Sequence, residues 1–336
     1  MYNPSKAGVK GSIFGLPYGL EESDMIILPV HLDVTVSYGQ GTSRAPDIIL
    51  DESSQLDLSL LSIEKPWKLK MAMYDRLVIN TQNEIHRGRA INVIKAIESG
   101  KKPDLDQLEF VNEFCDSVHK KIEEVVTSLL RLDKIVCVIG GDHSSPLGLM
   151  RALAKKGSYG ILQIDAHMDL RNAYEEFKYS HASIMNNALK EEGITSLTQI
   201  GIRDFCEEEE DYVNRSKKPI HVFYDEDIFK NELEGISWKK QVCDIIKTLP
   251  DDVYVSFDMD GLDPSLCPNT GTPVVGGLQF NQVIYLLEQV VRSGKKIIGF
   301  DVCEAGNHPW DANVAARVIY RLAALTGVSA KLIDFK

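Results

Sequence analysis

Acids and imidazoles collect in four short runs of this 336-residue chain: GGDHS at 140–144, DAHMD at 165–169, DMDGLDP at 258–264 and DVCE at 301–304. Alternation along an extended segment puts Asp165, His167 and Asp169 on one side and Ala166 and Met168 on the other. Asp258 and Asp260 share a side in the same way, and His143 follows two glycines that let backbone approach closely. These residues offer four carboxylates and two imidazoles, too many ligands for one ordinary site and a suitable number for two divalent ions with shared carboxylate bridges. Left unpaired, the aspartates would repel one another and raise their own pKa values, whereas two divalent cations would cancel their charge. Oxygen-rich ligands with some imidazole suit Mn²⁺ best, and Ni²⁺, Co²⁺ and Fe²⁺ accept similar sets.

A pair of ions roughly 3.5 to 4 Å apart lowers the pKa of a bridging water and presents hydroxide to an electrophilic carbon, so the expected chemistry is metal-assisted hydrolysis. Glu304 at the next strand end adds a carboxylate. A cationic, planar group fits such a pocket, because guanidinium pairs with a carboxylate through two parallel hydrogen bonds.

The elements that must position these groups are legible as short apolar runs: Met25 to Val30, Lys134 to Ile139, Tyr159 to Ile164, Leu197 to Ile202, His221 to Tyr224, Val253 to Phe257 and Lys296 to Phe300. A helical pattern follows each, so parallel pairing through βαβ crossovers is expected, with a ligand crevice outside the carboxyl ends of the strands. Leu105 to Arg131 and Asp311 to Thr326 carry apolar residues at helical spacing, and Ser144, Ser183 and Asn281 stand where N-caps are expected. Residues 65–104, with Trp67, Asn80, Thr81 and Arg87 ahead of a helix and then a Gly/Lys/Pro break, read as a surface excursion from a single domain spanning 1–336.

Charge excludes whole classes of partner. A formal net charge of −12 disfavours nucleic acid and anionic membrane, which need a basic field. No apolar run approaches the roughly 20 residues of a membrane span, the N-terminus has no basic start followed by an apolar stretch, and the six cysteines form no CxxC pair. A soluble, cytoplasmic protein in a reduced compartment is expected.

In their order and intervals, GGDHS, DAHMD, SFDMDGLDP with TGTPVVGGL, and DVCE resemble the motifs of the ureohydrolase family of arginases and agmatinases. SYGQGTSRAPDIIL at 37–50 is similar to that family's N-terminal glycine, proline and isoleucine pattern, and the likeness runs from about Ile26 to the C-terminus apart from 65–104. The resemblance implies a single three-layer α/β/α domain with a mostly parallel eight-stranded sheet, and a homotrimer or homohexamer. It implies two Mn²⁺ ions, with Ni²⁺ as an alternative. His143, Asp165, Asp169 and Asp258 would hold one ion, and Asp165, His167, Asp258 and Asp260 the other, with Asp165 and Asp258 bridging. By the same resemblance Asp169 also orients the attacking hydroxide, His181 in KYSHAS passes a proton to the leaving amine, and Glu304 holds the guanidinium. The product pair is urea and an amine.

The substrate is less sharply drawn. LRNAYEEFKYS at 170–180 differs from the polar loop with which animal-type arginases read an α-carboxylate, and Cys206 takes the place of their α-amino-reading aspartate. EAGNHPWDANVAAR at 304–317 and His181-Ala182, in place of the family's Glu-Val-Asn-Pro and His-Gly, look more like the agmatinase-like branch. Within that branch a nickel-dependent guanidine hydrolase or a formiminoglutamase-type hydrolase is an alternative. A non-catalytic ureohydrolase-like binding protein would be expected to have lost ligands, and a related deacetylase would use one zinc. Arg171 and Asn172 are further candidates for substrate contact. His31, His86, His119, His221 and His308 are assigned surface or core roles, Glu207 to Asp211 a solvated loop or helix start, Cys303 core packing, and Asp263, Pro264, Gly276 and Gly277 turns.

Overall fold

Apolar runs with no polar alternation make strands that must be covered on both faces. In the computed structural model, which describes residues 2–5, 8–75, 77 and 80–336 (of 80 and 81 the backbone alone), those runs form a sheet of eight strands. They are β1 (Met25–Pro29), β2 (Met71–Met73), β3 (Ile135–Ile139), β4 (Tyr159–Ile164), β5 (Ile194–Ile202), β6 (Ile220–Tyr224), β7 (Asp252–Asp258) and β8 (Lys296–Cys303). Every pairing is parallel, in the order β2-β1-β3-β8-β7-β4-β5-β6. The expected mostly parallel α/β/α architecture is therefore present, with no antiparallel strand in the sheet among the described residues.

Successive residues of a strand feed opposite layers. Ile27, Cys137 and Ile139 join one apolar cluster, whereas Leu28, Val136 and Val138 join the other. The first cluster is covered by α1 (Ala45–Ser53) and by four later helices, α7 (Asp225–Leu233), α8 (Trp238–Lys247), α9 (Phe280–Arg292) and α10 (Pro309–Ser329). Over the second lie α2 (Asn80–Glu98), α3 (Leu105–Leu130), α4 (Leu147–Lys156), α5 (Ile184–Ala188) and α6 (Glu207–Arg215). Helix α3 has the clearest local logic: Asp104 accepts from the backbone N–H of Asp106 and Gln107, and Val111, Phe114, Val118 and Ile122 form its buried stripe.

Three expectations need correction. Residues 65–104 are not only a surface excursion, because Met71–Met73 pairs with β1 as the edge strand and α2 packs on α3. Three residues are too few to show a strand period, which is why this strand is silent in the sequence. Ser144 and Asn281 are not N-caps: α4 begins after Pro146, Ser144 donates instead to Asp142, and Gln279 precedes α9. Ser183 does precede α5, without a side-chain cap bond. All six cysteines are free thiols. Among the described residues no helix is long and apolar enough to cross a membrane.

The four strands that carry the acid and histidine runs, β3, β8, β7 and β4, are contiguous in the middle of the sheet. Register then does the positioning: Ile139 pairs with Val302, Asp258 with Cys303, and Ile164 with Phe257, so the residues that follow emerge side by side at the carboxyl edge. Gly141 sits where backbone passes backbone, and a Cβ there would lie 2.0 Å from the Leu32 carbonyl oxygen. Gly141→Ala is expected to lower stability by about 1–3 kcal/mol, the usual penalty for overpacking, as read by urea denaturation.

Candidate metal centre

At that edge the carboxylates and imidazoles meet. His143 Nδ1 lies 3.0 Å from Asp165 Oδ2, 3.0 Å from Asp169 Oδ2 and 3.3 Å from Asp258 Oδ2. On the far side of Asp165, His167 Nδ1 is 3.1 Å from Asp260 Oδ2 and 3.7 Å from Asp165 Oδ1. Two groups with ligand atoms within 4.8 Å of one another result, His143 with Asp165 and Asp258, and Asp165 with His167 and Asp260. Asp165 belongs to both. All six residues expected to converge do so, although Asp169 arrives by a left-handed turn at φ 56° rather than by strand alternation.

The neighbours of His143 dispose it toward an ion. Ser256 Oγ donates to Asp301 Oδ2 at 3.0 Å and so receives the Nε2–H of His143 at 2.9 Å. In the neutral ring this leaves the Nδ1 lone pair among three carboxylate oxygens, with none of them aligned as a hydrogen-bond partner. Lone pairs converging in a buried space repel unless a cation lies between them. The donor set thus fits divalent ions, with Asp165 placed to be shared.

A second ring of contacts fixes the acids. Gln163 Nε2 donates to Asp165 Oδ2 at 2.7 Å, and Gln199 Nε2 reaches Gln163 Oε1 at 2.6 Å and the Met168 carbonyl at 2.7 Å. Tyr254 donates to Asp301 at 2.7 Å. The guanidinium of Arg203 donates to the Asp260, Val274 and Gly201 carbonyls, clamping the 274–277 loop to the centre. Glu209 accepts from the N–H of Leu170 and of Cys206. The acidic run is thus a helix start, as expected, but Glu209 itself is buried and braces the loop after Asp169. Sequence reading missed Ser256, Asp301, Gln163, Arg203 and Glu209. Asp301, as the first residue of DVCE, and Gln163 and Ser256, polar inside apolar strands, carried a signal without naming a partner; Arg203 and Glu209 carried none.

Electrostatics follow from burial and crowding. Burial disfavours a charged His143, yet Asp165, Asp169 and Asp258 outweigh it and hold the ring well above its ordinary pKa. His167 is likewise raised, to about 12, by Asp260 and Asp165 against the cost of burial. Burial and Asp165 push Asp169 up to about 7, and burial with Asp260 raises Asp258.

Beside the centre lies a pocket of about 180 Å³ lined by His167, Asp169 and His181 and walled by Arg171, Tyr174 and Asp204, among others. Burial, with His167 and His143 nearby, lowers His181 to about 4, so its ring is neutral at pH 7. Arg171 lies 5.2 Å over the Tyr174 ring, while Asn172 is exposed and outside the lining. Glu304 does not line this pocket. It sits behind Gly271, at φ 59°; its Oε1 accepts the His143 N–H at 3.0 Å and its buried Oε2 has no partner. A Cβ on Gly271 would lie 2.8 Å from that oxygen, so glycine there leaves the carboxylate its space.

The other histidines keep out of the centre. His31 pairs with Asp47, His86 stacks on Phe114, His119 is buried, His221 is exposed, and His308 caps α10.

A sequence model of the arginase family matches residues 23–325. The chain belongs to the arginase family. An N(1)-aminopropylagmatine ureohydrolase of Thermus thermophilus is 32% identical over 94% of this chain and 93% of its own. A guanidinobutyrase of Pseudomonas aeruginosa is 27% identical over 93% of this chain and 89% of its own. The agmatine ureohydrolase of Thermoplasma volcanium superposes with a TM-score of 0.72 at 25% identity, covering 96% of each chain. This arginase-family chain is accordingly a hydrolase of the ureohydrolase class.

Because imidazole protons must leave before nitrogen can ligate, Mn²⁺ binding at pH 7 is expected to release protons, and affinity is expected to fall as pH drops. Titration calorimetry in buffers of different ionisation enthalpy checks this; no net proton release would contradict it. Asp258→Asn is expected to lose at least one bound ion per chain after dialysis, measured by elemental analysis, with the fold retained by circular dichroism.

Proposed function

We propose that this arginase-family enzyme hydrolyses a guanidino compound at two divalent ions, Mn²⁺ by the donor set with Ni²⁺ as alternative, releasing urea and an amine. The observation that carries the reading is the shared Asp165, which joins two histidine–carboxylate groups beside a pocket containing His181. His143, Asp165, Asp169 and Asp258 would hold one ion, and Asp165, His167, Asp258 and Asp260 the other. Bound there, the ions would lower the pKa of a water and offset the charge of the acids.

The chain's own groups account for the rest. The unpartnered Oε2 of Glu304 is a hydrogen-bond acceptor for a guanidinium N–H, and a guanidinium beside it favours the charged carboxylate against the burial that raises its pKa. Asp169 accepts a hydrogen bond from the attacking water and so orients it. As water adds to the guanidino carbon, the neutral His181 ring takes up one of its protons and Asp169 the other; when the C–N bond to the alkyl group breaks, both pass to the leaving nitrogen, His181 now acting as the acid. Water plus guanidinium thus gives urea plus alkylammonium, with atoms and charge balanced.

The walls bear on the substrate. Tyr174 and Arg171 of the 170–180 loop face the pocket, as do Phe205 and Asp204, while Cys206 caps α6. Arginine is therefore expected to be a poorer substrate than at least one of agmatine, N(1)-aminopropylagmatine, guanidinobutyrate or free guanidine. A urea-release assay across this panel, with Mn²⁺ and Ni²⁺ supplied separately, tests the reading, and absence of urea from every compound would reject it. His181→Ala is expected to lower kcat by about 10²–10⁴, the usual weight of a general acid, with metal content unchanged. Light scattering of the native protein tests the proposed homotrimer or homohexamer.

A further inference from the structure

Residues 65–104 contribute more to the site than an edge strand. Helix α2 drives two side chains into the loop at 33–43. Asn83 pairs reciprocally with Asp33: its Oδ1 accepts the Asp33 N–H at 2.9 Å and its Nδ2 donates to Asp33 Oδ1 at 2.8 Å. Asp33 Oδ2 in turn accepts from the N–H of Gly41 and Ser43. One nitrogen of Arg87 donates to the carbonyls of Asp33 at 2.6 Å and Val36 at 3.0 Å. Asn83 is 3% exposed and Arg87 9%, so these bonds form where no water competes.

The loop they hold reaches the pocket by two routes. Ser37 lines it directly, as does Thr272. Gly39 donates its N–H to the Gly271 carbonyl at 3.1 Å, and a Cβ on Gly39 would lie 2.5 Å from that same oxygen. Gly271 is the residue against which the free oxygen of Glu304 stands. An unbroken series of contacts therefore runs from α2 through the loop to Gly271 and Glu304.

We propose that Asn83 and Arg87 are positioning residues for substrate, fixing the 33–43 loop so that Ser37 walls the pocket and Gly39 holds Gly271 against the Glu304 carboxylate. Neither side chain touches the reacting atoms. Substrate binding is what their loss impairs, since the parts displaced are a wall of the pocket and the turn beside Glu304 rather than the reacting atoms. This inference rests on the guanidino-hydrolase reading.

The test uses the full metal-loaded chain and whichever guanidino compound it hydrolyses best. Arg87→Met is expected to raise KM about tenfold with a smaller change in kcat and with bound metal unaltered. Arg87→Lys, which restores a donor to the same carbonyls, is expected to recover most of the loss. Hydrogen exchange at the amides of Gly41 and Ser43 should quicken in Arg87→Met and not in Arg87→Lys. Should Arg87→Met fail to fold, Asn83→Ala, which removes only the Asp33 pair, carries the same expectations. An unchanged KM, or a loss of activity that tracks loss of metal and ignores the lysine, overturns the proposal. Should the wild-type chain release no urea from any guanidine, the reaction is misassigned, and exchange at Gly41 and Ser43 alone decides whether α2 braces the loop.

Discussion

Mutual repulsion among buried carboxylates is the constraint that the rest of the molecule answers. Asp165, Asp169, Asp258 and Asp260 are each less than 5% exposed and crowd around two imidazoles. Such an arrangement is unfavourable until positive charge enters it. The surrounding structure holds the acids in place meanwhile: amides from Gln163 and the backbone of His167 on Asp165, the backbone of Ala166 on Asp260, and that of Asp260 on Asp258. These bonds fix the direction of each carboxylate toward the space between the two imidazoles.

The same restraint shows in the backbone. Asp169 and Glu304 both adopt left-handed φ, which a side chain other than glycine rarely does. Each such residue costs roughly 1–3 kcal/mol and persists only where its surroundings overrule the preference. Around Asp169 the overruling contacts are the amides of Met185 and Asn186 on its carbonyl; at Glu304 they are the Gly141 carbonyl on its N–H and the His143 amide on its carboxylate. Both residues end strand-borne motifs and turn their acids back over the sheet edge.

Much of this was legible in the sequence. The four motif strands, the parallel sheet and the convergence of the six candidate ligands follow from apolar runs that end in Asp and His, because a parallel sheet brings all its carboxyl ends to one edge. Less visible were contacts made at a distance by residues with no pattern of their own. Ser256 and Asp301 are polar residues within apolar strands, and only their pairing across β7 and β8 reveals that they orient His143. Glu209 hides in a run of acids that look solvated. Asn83 and Arg87 belong to a stretch outside the recognised motifs, and nothing in local spacing announces a partner 50 residues away.

The position of β8 between β3 and β7 has a consequence for how the protein comes into being. The strand that carries Glu304, and with it the Ser256–Asp301 support of His143, is made after the other seven, yet it fills the centre of the sheet. Until it is inserted, β3 and β7 have no common neighbour, and the halves of the ligand cage stay apart. The group of His143, Asp165 and Asp258 therefore completes only with that long-range contact, a slow step in a fold so dominated by distant pairings, whereas Asp165, His167 and Asp260 stand at the ends of β4 and β7, which pair directly.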